Sequence, residues 1–411
     1  MKKYLVLMKD TLSLKEFKKV FSHVGKPSSM PDFVIVKTHM GIERIREMEG
    51  VLLVEEDENA EILQQEEDVG YALPWISDAP EYNNRTTGSG VDIYVIDTGI
   101  RGSHKELNGR VRNLYSFDGV PYSVTSGDSP FHGTSVAACA AGARFGTAPQ
   151  ATVYNCRSNF SLSDILKSLD TILRHHLDKP DNRPSVVNFS GASPSFFIGR
   201  AFERLTKYGV VIVAAAGNSS GLLPEYPARN AWVTSVGAVN ELSGKAWFSN
   251  SQCDLYAPGQ GITTADVTSD VSTRVVSGTS FACPYYAGLL ACLLEGSDKF
   301  NTAAQVSQFN HQMRNSIGDN KRLTFTNGSL QARSVTSNGL DGEYYISPLR
   351  GVRDKDIAHW LIDNIDNPSV IAAACKEYNL SKGRIIKILG GGEGLAEEID
   401  KYFKSCEVWW D

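Results

Sequence analysis

Between residues 71 and 338 short β-rich runs alternate with helical stretches, and nothing else in the sequence restricts the fold so strongly. Apolar runs at 91–96, 152–155, 185–189 and 210–214 read as strands. Helical patterns begin at 133 and 162 and cover 198–208. A helix between two strands carries the chain back to the end where the first strand began, so the strands pair in parallel through right-handed crossovers. The expectation is an α/β domain with a parallel sheet flanked by helices.

At 411 residues the chain is too long for one core. Residues 1–58 show strand-like runs at 4–8, 33–36 and 51–54, with helical spacing in Leu14-Phe17-Val20-Phe21 and Ile42-Ile45-Met48. A βαββαβ order of this kind makes a small open-faced, ferredoxin-like α+β sheet. The Glu- and Gln-rich stretch 61–68 reads as a linker, and a helical pattern returns after 341. The predicted domains are 1–66, 67–340, and a small all-α domain at 341–411 for which the sequence suggests no role.

A net charge of −6 gives no reason to expect nucleic acid or an anionic membrane as partner. The apolar runs are too short to span a bilayer. The first apolar stretch is interrupted by Lys9 and Asp10 with no small-residue cleavage site after it, so it reads as a strand and not as a signal peptide. The seven cysteines show no CxxC spacing, and Cys139, Cys283, Cys292 and Cys375 sit among apolar residues. Buried free thiols are therefore expected. A cytoplasmic or otherwise reducing compartment fits them, with export by a route the sequence does not display as the alternative.

Three segments carry chemistry. Tyr94-Val95-Ile96-Asp97-Thr98-Gly99 is an apolar strand ending in a carboxylate. Phe131-His132-Gly133-Thr134-Ser135 opens a run of small residues, and Ser277-Gly278-Thr279-Ser280-Phe281-Ala282 does the same. A Ser hydroxyl is a weak nucleophile unless a base lies within hydrogen-bond reach, and that base needs a carboxylate to hold its tautomer. Taken singly, Asp97 is a turn residue and Gly-Thr-Ser a helix start. Together, in the order Asp, His, Ser, they form a catalytic set.

These segments resemble the signatures of the subtilisin-like serine proteases, nearest the proteinase K branch. Gly146-Thr147-Ala148-Pro149, Val187-Asn188-Phe189-Ser190-Gly191 and Ala214-Ala215-Ala216-Gly217-Asn218 extend the likeness over about 270 residues. The resemblance implies an endopeptidase acting on proteins or peptides, with Asp97, His132 and Ser280 as triad and Asn218 in the oxyanion hole. His104 matches a structural histidine of the family. Substrate would lie extended between Ser190-Gly191-Ala192 and Ser158-Asn159-Phe160, where relatives are richer in glycine, so Phe160 is expected to narrow the outer subsites. Ala216, Gly217 and Glu225 would line the pocket for the residue before the cut.

Glu225 replaces a usual Gly or neutral side chain, and its carboxylate would attract Arg or Lys there. Arg229 nearby and a linker without Lys or Arg argue instead for a broad apolar preference. No cofactor is implied. Calcium is the one metal to weigh, and Asn240, where the proteinase K branch carries an Asp ligand, points to a weakened site or none. Residues 1–66 resemble the family's inhibitory propeptide, with 51–57 as its final strand, so a self-inhibited precursor is expected. The competing reading is a catalytically silent structural or assembly protein that kept the fold. All four catalytic positions are intact, which favours the enzyme.

Overall fold

Four short strands, β1 (Lys2–Met8), β2 (Val24–Gly25), β3 (Phe33–Thr38) and β4 (Val51–Glu56), form an antiparallel sheet in the order β2-β3-β1-β4. Helix α1 (Ile42–Arg46) lies between β3 and β4 in sequence. Alternate residues of the strands, among them Tyr4, Val6, Val34, Val36 and Val54, share a core with Phe17, Phe21 and Ile45. The Phe17 and Phe21 rings are 4.7 Å apart, the i,i+4 neighbours that the helical spacing predicts. The computed structural model describes residues 2–9, 17, 19–21, 24–25, 29–30, 32–57, 61–62, 71–77, 86–124, 130–193, 195–230, 232–302, 304–306, 308–310, 321–326 and 329–334. Met1–Asp57 falls in one compact unit and Glu58–Leu340 in another.

The second unit begins with β5 (Glu61–Ile62) and α2 (Ala72–Ser77). Its sheet is built on β6 (Asp92–Asp97), β7 (Val111–Ser116), β8 (Thr152–Arg157), β9 (Ser185–Phe189), β11 (Val211–Ala215), β12 (Thr234–Val239) and β13 (Leu255–Pro258). These seven run parallel in the order β7-β8-β6-β9-β11-β12-β13. An antiparallel pair, β16 (Lys321–Thr326) and β17 (Ser329–Ser334), extends the β13 edge. Helices α3 (His132–Ala141), α4 (Leu162–Leu177), α5 (Phe196–Thr206) and α6 (Thr279–Leu294) pack on it. Two short antiparallel strands, β14 (Ile262–Ala265) and β15 (Thr273–Val276), precede α6. The two-residue strand β10 (Gly191–Ala192) follows β9 and pairs with β5.

The connection leaves β6 for β7 and β8 on one side, then crosses to β9 on the other, so the direction of winding reverses beside β6. Ligand crevices in parallel sheets open at such a point, beyond the carboxyl ends of the strands. Asp97 is the last residue of β6, and Ser158, Ser190 and Ala216 each follow the end of a neighbouring strand.

The strands expected at 91–96, 152–155, 185–189 and 210–214 correspond to β6, β8, β9 and β11 within two residues. Strand β7 lacks an apolar signature because it is an edge strand, with Arg112 and Asn113 exposed. The β12-to-β13 connection carries no helix, so the alternation that marks the other strands is missing there. The expected domain boundaries at 66/67 and 340/341, and the helical tail at 341–411, lie outside the described residues.

Candidate active site

His132 opens α3 and Asp97 closes β6, and the two meet because glycine separates their backbones. A Cβ on Gly133 would stand 2.5 Å from the Gly99 carbonyl oxygen, so any larger residue would push α3 off the strand end. Held this close, His132 Nδ1–H donates to Asp97 Oδ1 at 2.8 Å, with Oδ2 at 3.0 Å. Asp97 Oδ1 also accepts the Thr98 N–H at 2.7 Å. Both side chains are fully buried. With Nδ1 committed to the carboxylate, Nε2 is left without a hydrogen-bond partner among the described residues.

Ser280 stands in the first turn of α6, beside His132, whose ring is 5.2 Å from that of Phe281. Two neighbours hold this turn. The Thr279 N–H and hydroxyl both donate to Asn218 Oδ1 at 2.9 Å, which turns the Asn218 amide nitrogen away from them. That buried nitrogen also has no partner among the described residues. On the other side, Pro284 cannot donate to the carbonyl four residues earlier, which is that of Ser280. Ser190 Oγ takes the vacated place, donating to Ser280 O at 2.7 Å.

The two expected substrate edges flank this centre. Ser158 N–H donates to Asp97 O at 2.8 Å, fixing one edge to the end of β6. Asn159 is exposed, and its N–H donates to Asp164 Oδ2 at 3.0 Å. Phe160 holds φ +60°, a strained value for a bulky residue, and its ring is buried 6.2 Å from that of Phe189. On the other edge Gly191 and Ala192 are buried and pair with β5.

Ala216 and Gly217 follow β11, and Gly217 has φ +108° with Glu225 pressed against it, so a Cβ there would lie 2.7 Å from Glu225 Oε1. Glu225 N–H donates to Ala216 O at 2.9 Å. Its Oε1 accepts from Ser219 Oγ at 2.9 Å and Asn250 Nδ2 at 3.3 Å. Arg229 turns instead to the Tyr226 ring, 5.8 Å from its centroid.

Two residues that sequence reasoning passed over support this arrangement. Thr279 orients Asn218 as described. Asn250 binds Ala216 O through Nδ2 and accepts from Ser219 N and Gly221 N through Oδ1, tying down the loop after Asn218. Asn250 had no local signal, since it acts on residues about thirty positions earlier. His104 is buried, with Nε2 donating to Ser272 O at 2.9 Å, a structural place. The Asn240 side-chain oxygen accepts the Leu242 and Gly244 N–H groups at 3.0 Å. Among the described residues no group of three or more His, Cys, Asp or Glu is placed to hold a metal.

A profile described as the subtilase family matches residues 88–337. An extracellular serine proteinase of Thermus sp. (strain Rt41A) is 36% identical over 223 residues, 52% of this chain and 53% of that protein. Subtilisin-like protease 3 of Pseudogymnoascus destructans is 32% identical over 310 residues, 69% of this chain and 74% of that protein. A cuticle-degrading serine protease of Arthrobotrys oligospora is 33% identical over 230 residues, 53% of this chain and 55% of that protein. The chain thus spans about half the length of the first and third of these. Among solved structures, a cold-adapted subtilisin-like serine proteinase superposes with TM-score 0.53 at 28% identity, covering 66% of this chain and all of that one.

These relatives overturn the expectation of a cytoplasmic or reducing compartment, since they include an extracellular proteinase and a degrader of cuticle. The cysteines gave a misleading signal for a physical reason. Cys139, Cys156, Cys253, Cys283 and Cys292 are free but buried. Burial pushes the Cys139 thiol up to about 12 and the Cys283 thiol well above its ordinary range. Such thiols are inert whatever the solvent's redox state.

Proposed function

We propose, on the premise that this chain belongs to the subtilase family, that it is a serine endopeptidase made as a self-inhibited precursor. One observation carries the reading. Two buried nitrogens, His132 Nε2 and Asn218 Nδ2, lack partners among the described residues and flank the helix turn that bears Ser280. Leaving buried polar atoms unpaired costs about 1–3 kcal/mol each, a cost that a catalytic role accounts for.

In this reading Ser280 Oγ attacks the peptide carbonyl and His132 Nε2 takes its proton, later passing it to the leaving amine. Asp97 keeps the other imidazole proton on Nδ1 and stabilises the charged ring. The Asn218 amide and the Ser280 N–H bind the oxyanion. One such donor is worth about 3–4 kcal/mol, a size known from subtilisin itself. Substrate lies extended along Ser190-Gly191-Ala192 and Ser158-Asn159-Phe160, adding main-chain hydrogen bonds as a strand does. Ala216, Gly217 and Glu225 line the pocket before the cut.

The precursor state is supported by β5, which already lies as a strand on the β10 edge, Ile62 opposite Gly191 and Glu61 opposite Ala192. Residues 1–66 then serve as the inhibitory segment. No observation favours a catalytically silent protein. The test compares wild type with Ser280→Ala on casein and with a serine-directed fluorophosphonate. Turnover and labelling are expected in wild type only, and equal activity in both proteins would sink the assignment.

A further inference from the structure

Building on the peptidase reading, we infer that Arg157 is a positioning residue for the triad, acting on Asp97 and His132 through Thr98. No step of the mechanism uses a guanidinium, yet the Arg157 side chain is only 3% exposed, and burying a charge is costly unless partners repay it. Asp118 supplies the countercharge. Arg157 Nη1 donates to Asp118 Oδ1 at 2.6 Å and Oδ2 at 2.7 Å, and to Val120 O at 3.0 Å. Asp118 Oδ1 is itself fixed, accepting from Ser116 Oγ at 2.9 Å and the Val120 N–H at 3.0 Å. The Phe117 ring covers the guanidinium, with its centroid 4.9 Å away.

These bonds hold the far end of the head group, and its near end is directed at the active site. Arg157 Nε–H donates to Thr98 O at 3.0 Å. The sheet register places it there, because Asp97 and Arg157 stand opposite each other at the ends of β6 and β8. The turn after Asp97 also rests on the arginine stem. A Cβ on Gly99 would lie 2.8 Å from Arg157 Cδ, and Gly99 holds φ +112°.

Each polar group of Thr98 is committed. Its N–H donates to Asp97 Oδ1 at 2.7 Å, and its Oγ1 accepts the Gly133 N–H, beside His132, at 3.0 Å. Its carbonyl takes Arg157. One residue therefore orients the catalytic carboxylate and docks the start of the helix that bears the base, and Arg157 fixes that residue from outside. A misplacement of about 1 Å arising away from the chemistry can cost about 10²-fold in rate. Lysine would keep the charge without the function, since a single nitrogen cannot serve Asp118 and Thr98 O together as the planar fork does.

The experiment measures kcat and KM on a chromogenic peptide, per active site counted by fluorophosphonate labelling. The proteins are wild type, Arg157→Lys, Asp118→Asn, Thr98→Val and the double variant Arg157→Lys/Thr98→Val. Arg157→Lys should lower kcat about tenfold or more and leave KM within about twofold. Asp118→Asn changes an exposed partner and should lower kcat about threefold with the same KM, which keeps the test decisive if Arg157→Lys does not fold. Because both substitutions act through Thr98, the double variant should fall no more than about twofold below the worse single variant. A purely structural ion pair would reduce the number of labelled sites and leave kcat per site unchanged. Wild-type kcat per site in the folded variants, a loss carried by KM, or losses that multiply in the double variant overturns the inference, and the peptidase reading then survives. A wild type that neither labels nor cleaves casein overturns both.

Discussion

Replacing Asp97 by asparagine removes one charge and almost no volume, so its effect isolates the electrostatic part of the proposed mechanism. The carboxylate lies 2.8 Å from His132 Nδ1, with both side chains shielded from water. At an effective dielectric of about 20, two unit charges at that distance attract by about 6 kcal/mol. The attraction exists only once the ring carries its second proton, as the peptide bond is attacked, so it falls on the rate and not on substrate binding. At about 1.36 kcal/mol per decade this amounts to about a 10⁴-fold loss in kcat.

The tautomer works in the same direction. Thr98 N–H and His132 Nδ1 both bond Oδ1, so in the Asp97→Asn protein the amide oxygen would stay there and the NH₂ would replace Oδ2, 3.0 Å from Nδ1. A donor there competes with Nδ1–H and favours the tautomer with the ring proton on Nε2, which cannot take the Ser280 proton. Hydrolysis of a chromogenic peptide under single-turnover conditions, with Ser280→Ala as background and circular dichroism as a check on folding, measures the loss. A folded Asp97→Asn protein within tenfold of wild type would refute the account.

Peptides differing only in Leu, Phe, Arg or Lys before the cut should show Leu and Phe preferred by wild type, in keeping with the absence of Lys and Arg between Arg46 and Arg85. Glu225→Gln should lower the Arg-to-Leu ratio about fivefold, the size of one partly exposed charge pair, and an unchanged ratio would make Glu225 only a loop residue. His176 provides a pH test away from the site. Burial first, then the Lys179 charge, lowers it from its ordinary 6.5 to about 4, and its ring is held by Ser185 Oγ and Tyr208 O. Between these values the unfolded chain binds the extra proton and the folded one does not. Stability is therefore full above about pH 6.5 and falls toward pH 4, by up to about 3 kcal/mol. Urea midpoints at pH 7 and 4.5, measured in the Ser280→Ala background to prevent autolysis, should show a shallower pH dependence in His176→Asn. An identical dependence would count against the assignment.

The alternation of strand and helix, the glycines beside Asp97, His132 and Ser280, and the family's motifs are local patterns, and the sequence alone was enough to read the parallel sheet and the catalytic candidates from them. A strand buried on both faces must be apolar throughout, and a functional side chain at its end needs small neighbours, so both leave marks within a few residues. Edge strand β7 and the helix-free step from β12 to β13 leave no such mark. Other features depended on the tertiary structure. These include the register of β5 on β10, the grip of Thr279 on Asn218 across about sixty residues, the use of Ser280 O by Ser190, and the turning of Arg229 to Tyr226 and not to Glu225. Hydrogen-bond partners far apart in the chain are chosen by which groups the packed core leaves unpaired and within reach. No short window of sequence encodes that choice.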